Sequence, residues 1–170
     1  TSSSIGLSDQ VTLNVGINVQ VLTLNNSWVL EPRAGVKWQA SPKSSFALAY
    51  GLHSRMEKMD VYFVKTQGTG DRSVNKDLDF TKAHHVMLSY GFKVSDNMNV
   101  KIEPYFQYLY DVPVIADSSY SVLNRRDFYV EDALVNRGKG RNIGIDLTLE
   151  RYLNKGLYYM VTASIFNSRY

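Results

Sequence analysis

Cysteine is absent from the 170 residues. That excludes a disulfide framework, cysteine-held metal and a thiol nucleophile. Long apolar runs are absent too: no segment approaches the roughly 18–20 apolar residues that a spanning helix needs. No segment repeats its apolar residues at the helical period. Charge of either sign is nearly balanced, at +3 overall, which offers little to hold nucleic acid. The opening Thr1-Ser2-Ser3-Ser4 lacks the charged and then apolar regions of a secretion signal. The expectation is a chain that stays inside the cell or is a piece of a longer precursor. Mean hydropathy is −0.24, far below that of a membrane bundle of helices. It says nothing against a membrane barrel, whose strands hide their apolar residues by alternation.

What is present is tyrosine, 12 residues, with seven Phe and two Trp. Tyr and Trp suit a surface apolar at one end and wet at the other. The dominant pattern is alternation at period two, which reads as strands with two unlike faces. Seven runs carry it: 11–23, 28–40, 46–53, 85–94, 100–110, 143–150 and 157–166. In the first, Val11, Leu13, Val15, Ile17, Val19 and Val21 face one way, and Thr12, Asn14, Gly16, Asn18 and Gln20 the other. In the fourth, Val86, Leu88, Tyr90, Phe92 and Val94 oppose His85, Met87, Ser89, Gly91 and Lys93. Short connections rich in turn formers follow four runs: Asn25-Asn26-Ser27, Ser41-Pro42-Lys43-Ser44, Ser95-Asp96-Asn97-Met98 and Leu153-Asn154-Lys155-Gly156. The connections at 56–81 and 111–141 are long. Long loops therefore gather at one end of the sheet. The expected fold is all-β: an antiparallel up-and-down meander of about seven long strands.

Alternation alone leaves the faces unassigned. A soluble barrel or sandwich turns its apolar face inward and binds a small apolar ligand there. A transmembrane β-barrel turns it toward lipid and lines its lumen with polar residues. Three features favour the membrane wall. Most runs reach the 9–11 residues that a tilted crossing strand needs, beyond the usual 5–6 of soluble strands. Several apolar faces end in aromatics, among them Trp28, Trp38, Phe92, Tyr108 and Tyr110. The loops are one-sided, as in outer-membrane barrels. Pro32 and Pro104 fall in phase with apolar faces and are expected to mark bulges, since proline lacks a ladder donor.

Four passages carry a family likeness: Ala49-Tyr50-Gly51-Leu52-His53-Ser54, Asp79-Phe80-Thr81-Lys82-Ala83-His84-His85, Tyr108-Leu109-Tyr110-Asp111-Val112-Pro113-Val114, and the run from Asn136 to Glu150 with its Gly138, Gly140, Asn142 and Gly144. Together they resemble the barrel of TonB-dependent outer-membrane receptors, in the branch with a carboxypeptidase-regulatory-like domain before the plug. The resemblance spans about 11–170. It implies the Gram-negative cell outer membrane, import of a nutrient ligand, no enzyme activity and no cofactor. It implies outer-membrane lipid as a partner, along with a plug, the rest of a barrel of about 22 strands, and an energy-transducing inner-membrane complex reached through the plug region. Neither plug nor full strand set is present, so 1–170 is expected to be a partial barrel domain.

Candidate chemistry is sparse. His84 and His85 point to opposite faces of one strand and cannot chelate a metal together. His53 can approach His85 across paired strands on the polar face. Asp146 and Glu150 are too far apart for a tight carboxylate pair. Glu31 and Arg33 share a face and can form an ion pair. Arg137-Gly138-Lys139-Gly140-Arg141 reads as a flexible loop base, or as an anion nest. No nucleophile motif appears, so no catalytic or metal residue is expected. The long loops set aromatics beside charges, as ligand recognition needs. Tyr62, Phe63, Tyr120, Arg125, Arg126, Phe128 and Tyr129 are the candidate ligand contacts. Packing of loop on loop is the competing reading of the same residues.

Overall fold

The computed structural model describes residues 1–66, 73–116, 118, 120, 121, 123, 131–154 and 156–170. Eight strands form one antiparallel sheet in chain order: β1 (Ser2–Gly6), β2 (Val11–Leu22), β3 (Ser27–Gln39), β4 (Ser44–Arg55), β5 (Thr81–Ser95), β6 (Met98–Ile115), β7 (Leu134–Asn154) and β8 (Leu157–Arg169). A single helical turn, α1 (Met59–Tyr62), interrupts the connection between β4 and β5. The seven alternating runs are β2 to β8. The eighth strand, β1, opens on three serines and has no alternation to read. It forms because β2 offers it a ladder, from Ser2↔Gly16 to Gly6↔Thr12. Ser8 shapes the turn between them, its Oγ accepting from the N–H groups of Gln10 and Val11.

Register carries the two faces across the whole sheet. Val36 of β3 lies opposite Leu13 of β2 and Leu48 of β4, and Leu48 lies opposite Leu88 of β5. Further along, Phe106 of β6 sits between Val86 and Ile143, and Ile145 of β7 opposes Ile165 of β8. One face is thus aliphatic and aromatic from β2 to β8. The other carries Asn14, Arg33, His53, His85, Gln107, Asn142 and Ser168. Both long connections lie at one end of the sheet, together with the tight β2–β3 turn, and the remaining connections, all tight, lie at the other.

Two local expectations are corrected. Pro32 and Pro104 make no bulge. Pro32 pairs in unbroken register with Ile17 on the β2 side, and the β4 ladder stops at Arg33↔Gly51, just before it. Pro104 likewise pairs with Ile145 on the β7 side, while its β5 ladder skips from Met87↔Tyr105 to Tyr90↔Ile102 without changing register. The missing donor falls where a ladder lapses. Register shifts lie instead at Lys93/Ser95, at Arg151/Asn154 and at Leu109–Pro113, where Asp111 takes a φ of 54° and two shifts cancel. Past it, pairing resumes to Ile115↔Leu134, so β7 runs for 21 residues. The stretch from Arg137 to Arg141 is therefore strand, not loop base. Its Gly138 serves close approach, since a Cβ there would come within 2.6 Å of Val114 Cγ1.

A single sheet encloses no interior between layers. The buried cluster instead lies at the long-loop end: Leu22, Val29, Val61, Tyr62, Leu78, Phe80 and Leu134. Leu22 and Val29 are in phase with Gln20 and Glu31, so this cluster covers the upper part of the polar face.

Candidate functional site: the polar face and its loop cap

At the rim of the polar face Glu31 is 97% withdrawn from solvent, with 3% exposure. Burying a carboxylate demands donors, and the neighbouring strands supply them. Asn18 Nδ2 and Gln20 Nε2 each donate at 2.8 Å, and the Ser54 N–H and Oγ–H each donate at 2.6 Å. Asn18 lies directly opposite Glu31 in the ladder, and Gln20 is its diagonal neighbour. Arg33 does not pair with Glu31. Its aliphatic stem lies over Gly16, within 3.1 Å of where a Cβ would stand. The expected ion pair is replaced by four bonds from neutral donors.

Above Glu31 the connection from β4 to β5 folds back over the polar face. Tyr62 is fully buried, and its hydroxyl oxygen accepts the Glu57 N–H at 3.3 Å. Burial is the main cause that holds its phenol above the ordinary tyrosine range. The Glu57 carboxylate accepts from Thr81 Oγ1 at 3.0 Å. Asn75 ties this connection to the next one: it donates to the Asp132 carbonyl at 2.9 Å and accepts the Leu134 N–H at 2.8 Å. A polar knot closes the cap. Lys82 Nζ reaches Asp79 at 2.8 Å and Asp111 at 3.1 Å, while Asn136 Nδ2 donates to the carbonyls of Asp79 and Asp111.

Lower on the same face, aromatic rings lie flat over glycines. His53 covers Gly51, where a Cβ would stand 2.8 Å from His53 Nε2. Tyr105 covers Gly144, where a Cβ would stand 2.6 Å from Tyr105 Oη. His85 lies between, with ring centroids 6.2 Å from both His53 and Tyr105. Asn142 donates to Gln107 at 2.7 Å beside them, and Ser164 hydrogen-bonds Asp146. Lys101 pairs with Glu103 at 2.8 Å. Among the described residues no group of three or more His, Cys, Asp or Glu is placed to hold a metal ion. The arrangement is a polar wall with short, flattened or well-bonded side chains.

The sequence-predicted site residues separate. His53 does approach His85, and His84 does point to the other face, where Tyr50 Oη lies 2.9 Å from its Nδ1. Tyr62 belongs to the loop core and presents no surface outside it. Its neighbour Phe63 is 51% exposed. Tyr120 stands half-buried beside the end of β6, its carbonyl accepting the Ile115 N–H at 3.2 Å. Arg125, Arg126, Phe128 and Tyr129 lie outside the described residues. Sequence reading missed Asn18, Gln20, Ser54, Asn75 and Asn136, which hold the cap and rim together. Their signal was slight: isolated amides and a serine at strand ends.

No protein-family model matches the chain, and no curated protein matches it in sequence. Solved structures share its fold. The FrpB iron transporter from Neisseria meningitidis aligns in its F5-1 apoprotein form with a TM-score of 0.66 at 16% identity. The F3-3 variant aligns at 0.66 and 17%, and a second F5-1 structure at 0.65 and 18%. Each alignment covers 99% of this chain. The chain has the fold of a TonB-dependent receptor barrel segment. It spans 25% of the length of those transporters. All three are iron transporters.

Proposed function

We propose that the chain is part of the wall of an outer-membrane transporter of the TonB-dependent kind, and that the complete protein imports a nutrient ligand. The observation that carries this reading is the uncovered apolar face. Trp28, Leu88 and Ile165 are 66%, 52% and 71% exposed, within a band that runs across every strand from β2 to β8. Exposed apolar patches of this extent on a protein in water are aggregation sites, whereas lipid is their ordinary solvent. The opposite face then lines the lumen, the long connections lie outside the cell, and the tight turns lie in the periplasm. The likeness to iron transporters supports the fold side of this reading.

The remaining partners follow from it. The ladders of β1 and β8 are each used on one side only in this sheet, and those edges are where further strands of the same barrel pair. A plug fills the lumen against the rings of His53, His85 and Tyr105, and passes energy from the inner-membrane complex. The finer assignment, to the branch with a carboxypeptidase-regulatory-like domain, rests on the four sequence passages together, of which the run from Asn136 to Glu150 is the most specific. Phe63 and Tyr120 remain proposed ligand contacts. The soluble alternative needs the aliphatic residues enclosed, and the sheet here encloses none of them.

Fractionation of cells expressing the complete protein tests the reading. The expected result is recovery in the outer membrane, with a folded form that shifts in gel mobility on heating. Recovery as a soluble monomer without detergent would contradict it.

A further inference from the structure

Two asparagines from different parts of the cap each grip the backbone of the other's segment. Asn75, in the connection from β4 to β5, is 1% exposed. Its Nδ2 donates to the Asp132 carbonyl at 2.9 Å, and its Oδ1 accepts the Leu134 N–H at 2.8 Å. Asn136, where the connection from β6 enters β7, returns the contact. Its Oδ1 accepts the Asp79 N–H at 2.9 Å, and its Nδ2 donates to the Asp79 carbonyl at 3.1 Å and the Asp111 carbonyl at 2.7 Å. Each carboxamide thus offers backbone groups a donor and an acceptor, as the peptide of a pairing strand would. Apolar burial joins the same two segments, since Leu134 packs in the cluster with Val61, Tyr62, Leu78 and Phe80. The β4–β5 connection is also closed on itself: the Val74 N–H donates to the Val64 carbonyl at 2.9 Å.

The hold on the far side is of another kind. Asn25, half-buried in the turn between β2 and β3, donates from Nδ2 to the Lys76 carbonyl at 3.1 Å and the Leu78 carbonyl at 2.8 Å. Leu22 and Val29 pack beneath the cap there. Parting the two connections from each other strands a nearly fully buried carboxamide and the Leu134 N–H, and unpaired buried groups are costly. Parting the pair from the β2–β3 turn frees one half-buried amide at the rim, where water replaces its bonds. The cap therefore separates more readily from that turn than along the line between its two halves.

We propose that the β4–β5 and β6–β7 connections form one lid over the polar face. Asn75 and Asn136 clasp its two halves together, and Asn25 latches its free edge to the β2–β3 turn. The lid lifts as a unit and uncovers the wall around Glu31 for a ligand. Contact with Phe63 on one half is thereby passed to Tyr120 on the other. The part played in ligand entry rests on the transporter reading; the joint movement rests on the hydrogen bonds alone.

The test is amide hydrogen exchange of the complete protein in nonionic detergent, read by mass spectrometry over segments 73–80 and 131–136. In the unaltered protein both segments are expected to open with the same equilibrium constant, as parts of one cooperative unit do. Asn25→Ala is expected to speed exchange in both by the same factor, about tenfold. Asn75→Ala is expected to uncouple them, so that the two segments exchange with different constants. If Asn25 merely shapes its own turn, Asn25→Ala quickens exchange near 25–29 and 76–78 and leaves 131–136 unchanged, which overturns the proposal. Unequal opening of the two segments in the unaltered protein overturns it as well, and that measurement needs no variant. Protein absent from the outer membrane removes the transporter reading, and the role in ligand entry with it, while coupled exchange still stands. Independent exchange in protein recovered from outer membranes removes the lid alone.

Discussion

Glu31 shows how one residue's role depends on register. Its side chain needs donors on both oxygens, and Asn18, Gln20 and Ser54 provide them. Glu31→Gln turns an acceptor into an N–H group facing other donors. At least one buried donor is then unpaired, at about 1–3 kcal/mol. The expected outcome is a lower urea midpoint for the complete protein in detergent, with unaltered strand content. Spacing along the chain pointed to Arg33 as the partner because it is near and on the same face. The ladder overrules that, since Asn18 stands closer across the strands than any residue two places along. Tyr62 makes a second residue-scale test. Burial raises its phenol pKa from the ordinary 10.0. A raised acid pKa means the neutral form is favoured in the fold, so this contribution is complete below pH 10 and is lost as pH rises through the folded value. Limited proteolysis within 56–80 is expected to quicken above pH 10, and Tyr62→Phe is expected to remove that dependence. A pH response unchanged in Tyr62→Phe would show that another group opens the loop.

At the scale of elements, strands with clean alternation were legible and the others were not. β2 to β5 and β8 were visible because each needs an apolar face, and period two reports that need directly. β1 was invisible because Ser2, Ser3 and Ser4 have no preferred side; only pairing with β2 makes them a strand. The last five residues of β6 and the first part of β7, 134–142, were read as loop because glycines at 138 and 140 imitate loop chemistry. They belong to long strands crossing a bulge. Of the two readings the loops left open, Tyr62 takes the packing of loop on loop. The contact between Tyr105 and Gly144 carries an element-scale prediction. Gly144→Ala puts a methyl within 2.6 Å of the present Tyr105 Oη position and must displace the ring. It is expected to destabilise β6–β7 pairing, read as faster amide exchange there, and Tyr105→Ser is expected to restore most of the loss in the double variant. Additive losses would show that the two positions are not coupled.

For the whole molecule, one sheet with two unlike faces accounts for nearly every feature. The apolar face is left uncovered, the polar face carries the bonded carboxylate and amides, and the buried cluster gathers under the long loops because the sheet has no second layer to hold it. Composition and hydropathy conceal this organisation; alternation and loop asymmetry expose it. A charge placed on either face separates the two environments. Leu88→Arg is expected to cost about 2–4 kcal/mol if that side chain meets the middle of a bilayer, whereas Ser89→Arg on the lumen side is tolerated. The most direct test uses the lack of cysteine in this stretch. Single cysteines introduced along β5 from 86 to 91 in the complete protein, in outer membranes, are reacted with a membrane-impermeant, water-soluble maleimide and with a lipid-soluble one. The account predicts strict alternation: positions 86, 88 and 90 are protected from the aqueous reagent, and 87, 89 and 91 react with it. Uniform aqueous labelling of all six would contradict it.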